Sequence, residues 1–468
     1  MLFFKRTQSR FFAEPIDLNL SRRALLHVGC ACAAFSLMRP VAALAQSIPT
    51  PAAAPARPIH AKLDQAAKAI EAKMLEWRRD IHQHPELGNQ EKRTAGIVAE
   101  HLKSLGYEVR EGVATTGVVG VLKGEGGPGP VIAVRADMDA LPVAEQVDLP
   151  FASKVKTRWN GEEVGVMHAC GHDCHVAIQM AVAEIVAGMR KELRGTVKLI
   201  FQPAEEGLPI GETGGARVMV EQGVMADPKP DAVFGLHVSS AAPVGVVSYR
   251  PGPTMAGSDT FKIVVKGRQT HGAVPWGGVD PITIGATIVT TLQTIISRET
   301  DIQRNPAVVT IGIFKGGQRQ NIISDSAELV GTLRTYSEPH RAQVKKRIGE
   351  IAENIARGMN GSAEVAWNEF AYPPLVNDVA LVEKMAPTLA RTSPKLFRLD
   401  HPASPSEDFS FFANVVPGLF FFVGIAAPDD KNAAPNHSPR FRVEEAGLMH
   451  GLRGMLHLVA DYTGSGTD

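Results

Sequence analysis

Three apolar runs, 131–135, 197–202 and 231–236, each lead straight into residues that carry charge or bind metals. The first reaches Asp137 and Asp139, the second Glu205 and Glu206, and the third His237. Such buried-type strands, alternating with helical patterns, require a sheet flanked by helices, so the fold class is α/β. Polar groups just past a strand sit where open α/β sheets place their active sites. A Glu-Glu pair is more often a solvated loop, but here it follows an apolar strand directly. Adjacent glutamates at a strand end point in different directions, so one is free to bind a metal while the other faces substrate. A lone histidine such as His237 is more often a core residue than a ligand.

Helical periodicity marks 60–84, stopped at His84-Pro85, and 92–105, closed by Gly106. A strongly apolar helix is predicted at 175–189. From about Arg250 the pattern changes to strand 260–265, helix 281–298, strands 308–314 and 327–336, helix 341–359 and strand 362–367. That is the ferredoxin-like order, about 120 residues long. The first pattern then resumes with a helix at 378–391, a strand at 418–423 and a closing helix at 443–462. The expected architecture is a catalytic domain in two parts, 60–249 and 371–468, interrupted by a smaller α+β satellite domain at 250–370.

Residues 167–175 read MHACGHDCH, and they hold three histidines, two cysteines and an aspartate. Cys170 and His172 are two apart, so in a loop or extended backbone both side chains reach one side. Thiolate and imidazole together suit zinc and other transition metals. Taken alone, the stretch fits a closed structural site as well as a catalytic one.

Ser21-Arg22-Arg23 opens a twin-arginine pattern, followed by an apolar run and the small-residue signal Ala43-Leu44-Ala45. The run is too short to span a bilayer, which takes ~20 residues. Residues 1–45 therefore read as an export signal cut after Ala45, with 46–59 a Pro/Ala-rich linker and a periplasmic or secreted destination. The formal net charge of +0 gives no reason to expect nucleic acid or an anionic membrane as a partner. Of four cysteines, Cys30 and Cys32 lie in the leader, and the remaining two make no disulfide framework.

RADMDALP, HACGHDCH, QPAEEG, GLHV, THGAVP, SEDFS and NHSP follow one another in this order. With these motifs the chain resembles metallopeptidase family 20, within it the amidohydrolase branch of hippurate, N-acyl-amino-acid and indole-acetyl-amino-acid hydrolases. The resemblance runs from about residue 62 to 462. It implies two divalent metal ions, zinc or manganese, held by Cys170, His172, Glu206, His237 and His437. It implies Glu205 as the catalytic base and His271, from the satellite domain, as the group that polarises the scissile carbonyl, often in a neighbouring subunit's site. Asn321 and Arg334 lie where the family contacts the substrate's carboxylate, and the satellite acts as lid and dimerisation domain. Where many relatives have His-x-Asp, this chain has Asp137-Met138-Asp139, which leaves both aspartates between direct ligation and support of the ligands. Asp173, His175 and His168 are open in the same way, and Trp276 between substrate and core.

The implied reaction is hydrolysis of the amide of an N-acyl amino acid or short peptide. Two cations ~3.5–4 Å apart activate a water and polarise the carbonyl, while an unligated glutamate moves the proton. A dipeptidase on the same fold is the nearest alternative, and a metal-stabilised binding protein of the cell envelope the more distant one. Glu205 distinguishes the last, since a binding protein has no need of it.

Overall fold

A computed structural model describes residues 51–208 and 211–466. The leader read at 1–45 lies outside the described residues.

The central sheet has eight strands, in the order Glu108–Val113, Gly117–Lys123, Thr196–Gln202, Val131–Asp137, Ala232–Pro243, Gly418–Ala426, Val246–Tyr249 and Lys395–Arg398. Its middle is parallel: Val131–Asp137 pairs in parallel with Thr196–Gln202 and with Ala232–Pro243, which also runs parallel to Gly418–Ala426. Alternation along these strands splits the core into two layers. Ile132, Val134, Val197, Leu199, Phe234, Leu236, Leu419 and Phe421 face the helices Pro58–Gln83, His172–Gly188 and Leu448–Thr463. Ala133, Ile200, Val233 and Phe420 face the other way, against Met219, Phe409 and Phe412. Both faces are covered, which is why these strands read as apolar runs.

A second sheet is the predicted insertion. Its order is Ala307–Gly316, Ser326–Thr335, Gly257–Lys266, Ser362–Trp367, all antiparallel, as the ferredoxin-like pattern requires. Phe261, Ile263, Val265, Leu329 and Leu333 pack on Ile284, Ile288, Val344 and Ile348 of the two helices Pro281–Thr294 and Glu338–Gly358, a core separate from the central one. The chain enters and leaves through the paired segments Gly252–Met255 and Leu375–Asn377.

Several boundaries differ from the sequence reading. The apolar helix starts at His172, three residues before His175, because Gly171 takes a left-handed φ of 96° and turns the chain into it. A Cβ at Gly171 would lie 2.4 Å from Val238 Cγ2, so the turn needs glycine. The strand holding His237 continues to Pro243, since Val238 and Ser240 stay buried in the ladder beyond the histidine. The closing helix begins at Leu448, after a short 3-10 turn at Glu445–Gly447. The last part of the Pro/Ala-rich linker is docked: Ala54 N donates to Pro387 O, and Arg57 Nη1 to Ser465 O.

Where the first and last helices meet, His60 and His457 stack with centroids 4.8 Å apart. His457 Nε2 lies 3.0 Å from Asp64 Oδ1, and its Nδ1 accepts from Arg391 Nε at 3.2 Å, so the ring is held neutral in one tautomer. Burial pushes it down to about 4. The unfolded chain takes up this proton near pH 6.5, whereas the folded chain does not until about pH 4. Stability from this site is whole above pH 6.5 and is lost as the pH falls through 4, at about 1 kcal/mol per pH unit in between. Urea midpoints of the parent and of His457→Gln between pH 7 and 4.5 measure it. The variant should show the shallower pH dependence, and equal slopes would contradict the assignment.

Candidate metal and catalytic centre

The parallel strands deliver their polar residues to one edge of the central sheet. Asp137 ends its strand, Glu205 and Glu206 follow Gln202, and His237 lies within the long strand. The turn at Gly171 brings in Cys170 and His172, and His437 comes from a loop near the C-terminus, where its N donates to Ala169 O at 2.7 Å. Asn436 ties these pieces together, because its Nδ2 donates to Cys170 O and Val238 O while its Oδ1 accepts from Ser240. His437 holds a left-handed φ of 72°, uncommon for a residue with a side chain and kept here by this bonding, and Ala204 holds one of 55°, with its N donating to Glu91 Oε1 at 2.8 Å.

Among the groups of candidate ligand atoms that result in the described residues, two share Cys170. Cys170, His172 and His237 form one, and Cys170, Glu206 and His437 the other, all atoms in each within 4.8 Å of one another. Cys170 Sγ is 3.3 Å from His237 Nε2, and His437 Nε2 is 3.2 Å from Glu206 Oε1. The imidazoles are oriented from behind. His237 Nδ1 lies 2.7 Å from Val238 O and His172 Nδ1 3.2 Å from Asp139 Oδ1, which leaves both Nε2 atoms aimed at the cluster. The other oxygen of Asp139 accepts from Glu206 N at 2.8 Å. Asp137 Oδ1 is 2.5 Å from His175 Nδ1, and His175 Nε2 accepts from Val238 N, so both nitrogens of His175 are occupied. Asp173 sits below, bonded to Arg78 and His82.

This donor set fits cations. His172 Nε2 is buried with no hydrogen-bond partner, 3.6 Å from Asp137 Oδ2 and 3.8 Å from Glu206 Oε1, two carboxylate oxygens that already draw the cationic groups Arg135 Nη1, at 2.8 Å, and His437 Nε2, at 3.2 Å. Native proteins rarely leave such atoms unpaired. Burial, then the Glu206 and Glu205 carboxylates, push the Cys170 thiol well up, so its thiolate needs a positive charge nearby. Burial opposes charge on His172, yet Asp137, Asp139 and Glu206 raise it to about 10, a proton standing where the carboxylates call for a cation. Burial likewise opposes charge on Glu206, but His437 and His172 bring it down to about 2.

Glu205 is in neither group built on Cys170. It is buried beside Glu407 and Asp408 and also reaches the His172–Glu206 pair. Burial first, then Glu407, Glu206 and Asp408, hold its carboxyl well above the usual range. Arg135 balances this acidic set: its Nη1 meets Asp137, its Nη2 meets Glu407 and Asp408, and its Nε donates to Gln202. Sequence reading gave no role to Arg135, Glu407 or Asp408, although SEDFS marked the position of the last two. Glu91 was missed as well. It is fully buried and accepts from Thr116 Oγ1 and Ala204 N.

His271, Asn321 and Arg334 lie in the insertion, and among the described residues none belongs to these ligand groups. His271 is exposed on the short strand Thr270–His271, its Nδ1 accepting from Ala273 N, and Gly272 N bonds Asn321 O beside it. Arg334 is half-buried on Ser326–Thr335, with Nη1 on Thr332 Oγ1. Trp276 is 80% exposed, which removes it from the core. His168 is buried with neither ring nitrogen bonded, and burial pushes it down to about 3. A cavity of about 570 Å³ adjoins the centre behind the 204–207 loop, walled by Leu208, Arg217, Phe370, Tyr372, Asp408 and Phe411.

The description Peptidase family M20/M25/M40 matches residues 133–461. Thermostable carboxypeptidase 1 of Saccharolobus solfataricus is 40% identical over 385 residues, 82% of this chain and 94% of that protein. N-acetylcysteine deacetylase of Bacillus subtilis is 38% identical over 386 residues, 82% of this chain and 95% of that protein. A crystal structure of a Bacillus subtilis protein, described as a dinuclear metal binding peptidase from the M20 family, superposes with a TM-score of 0.71 at 34% identity. It covers 85% of this chain and 99% of its own.

Proposed function

The chain belongs to peptidase family M20/M25/M40, and we propose that it hydrolyses the amide bond of N-acyl amino acids, or of a C-terminal amino acid, at two divalent metal ions. The observation that carries this reading is that Cys170 is shared by two ligand groups while Glu205 stands beside them, in neither. When bound, such ions supply Lewis acidity toward the carbonyl and the attacking water.

The chain's own residues do the rest. His172 and His237 present Nε2, oriented by Asp139 and by the Val238 carbonyl. Glu205 takes the proton of the attacking water and hands it to the leaving nitrogen, standing beside His172 and Glu206 without belonging to either group built on Cys170. His271 stabilises the developing oxyanion, and Asn321 with Arg334 holds the substrate's carboxylate. These three reach the centre through closure of the insertion or from the partner in a homodimer. The exposure of His271 supports that role. Zinc and manganese are the favoured ions, and thiolate with imidazole favours zinc. The twin-arginine leader supports export to the periplasm or beyond.

A panel of N-acyl amino acids and free dipeptides tests the substrate class. Hydrolysis of the N-acyl compounds, with release of the free amino acid, is expected. Cleavage confined to dipeptides would replace this reading with the dipeptidase one.

A further inference from the structure

The loop that carries Glu205 and Glu206 leaves its strand in a conformation that Ala204, at a φ of 55°, does not favour. Three hydrogen bonds from distant segments hold it. Ala204 N donates to Glu91 Oε1 at 2.8 Å, Glu206 N donates to Asp139 Oδ2 at 2.8 Å, and the Tyr372 hydroxyl donates to Glu205 O at 2.5 Å. The first two come from the central domain. Tyr372 lies on the chain returning from the insertion. Its backbone N and O bond to the O and N of Ser258, at 3.0 and 2.9 Å, and Ser258 belongs to the first strand of the inserted sheet, Gly257–Lys266. Close by, Arg217 Nη1 donates to Glu369 O at 2.8 Å, fastening the same returning segment to the helix Gly215–Glu221.

From this geometry we infer that Tyr372 is a positioning residue for Glu205. Its hydroxyl fixes the peptide that aims the Glu205 side chain, and its backbone ties that aim to the inserted sheet. A shift of the insertion over substrate is thereby transmitted to the base through one side chain. The inference rests on Glu205 being the base, as proposed above.

Tyr372→Phe removes the hydroxyl and keeps the ring, which meets Phe411 edge-on with centroids 6.4 Å apart. With an N-acyl amino acid as substrate, kcat should fall roughly tenfold, the loss of one well-placed hydrogen bond, while KM stays within about twofold. Metal content should equal the parent's, and the amides of residues 204–207 should exchange hydrogen faster in the metal-free variant. Parental kcat would overturn the inference, as would a loss that only tracks bound metal or folded fraction. Glu205→Gln is assayed in parallel. Should that variant turn over at the parental rate, it is the identity of the base that fails. An inactive Glu205→Gln beside a fully active Tyr372→Phe overturns the role of Tyr372 alone.

Discussion

Glu205→Gln should fold and load metal as the parent does, and lose roughly 10²–10⁴-fold in kcat, the range for removal of a general acid or base. The amide is isosteric, so packing beside Glu407 and Asp408 is kept. What goes is the site that accepts the proton. Glutamine also places a neutral group among carboxylates that already oppose one another, so stability should not suffer and is expected to rise slightly. Steady-state rates with metal analysis on the same preparation measure this. Parental turnover would move the base elsewhere.

Cys170→Ala should cost as much by another route. Because Cys170 belongs to both ligand groups, its loss leaves His172 with His237 on one side and Glu206 with His437 on the other. Two protein ligands are fewer than the three that catalytic zinc sites generally have. Bound metal should fall below that of the parent and hydrolysis by more than about 100-fold, beyond the 10–100-fold typical of losing a group behind the ligands. The fold should survive, since the neighbouring core through Cys174, Val176 and Ile178 is untouched. A variant with full metal content would show that the thiol is not shared.

The parts of the fold legible in the sequence were those where burial writes a pattern. Strands covered on both faces are apolar throughout, and helix faces repeat at helical spacing. Boundaries were less legible where tertiary context decides. The helix at His172 starts early because Gly171 turns against Val238, a contact between residues 67 apart in sequence. The strand Glu108–Val113, which pairs with Gly117–Lys123, and both strands of the hairpin Lys156–Trp159 with Glu162–Gly165 carry no such pattern, since they are polar and largely exposed.

At the site, the ligand candidates followed from the family's motifs rather than from residue type alone, and the structure sets all five in two groups that share Cys170. The residues that orient and balance them did not. Arg135 looks like the end of a strand, Glu91 like an exposed helix start, and Tyr372 like a lone aromatic in a linker. Each acquires its function from partners more than 65 residues away, as with Gln202, Ala204 and Glu205. Asp139 and His175 were open between ligand and support. Their hydrogen bonds now point to support, with His175 filled at both nitrogens and Asp139 bonded to His172 and to Glu206 N.

The most direct measurement is the number of divalent ions bound per chain, by elemental mass spectrometry, paired with hydrolysis before chelation, after it, and after metal is restored. The account predicts two ions per chain, activity that disappears with them, and activity that returns when they are put back. Undiminished hydrolysis by protein stripped of metal would contradict it.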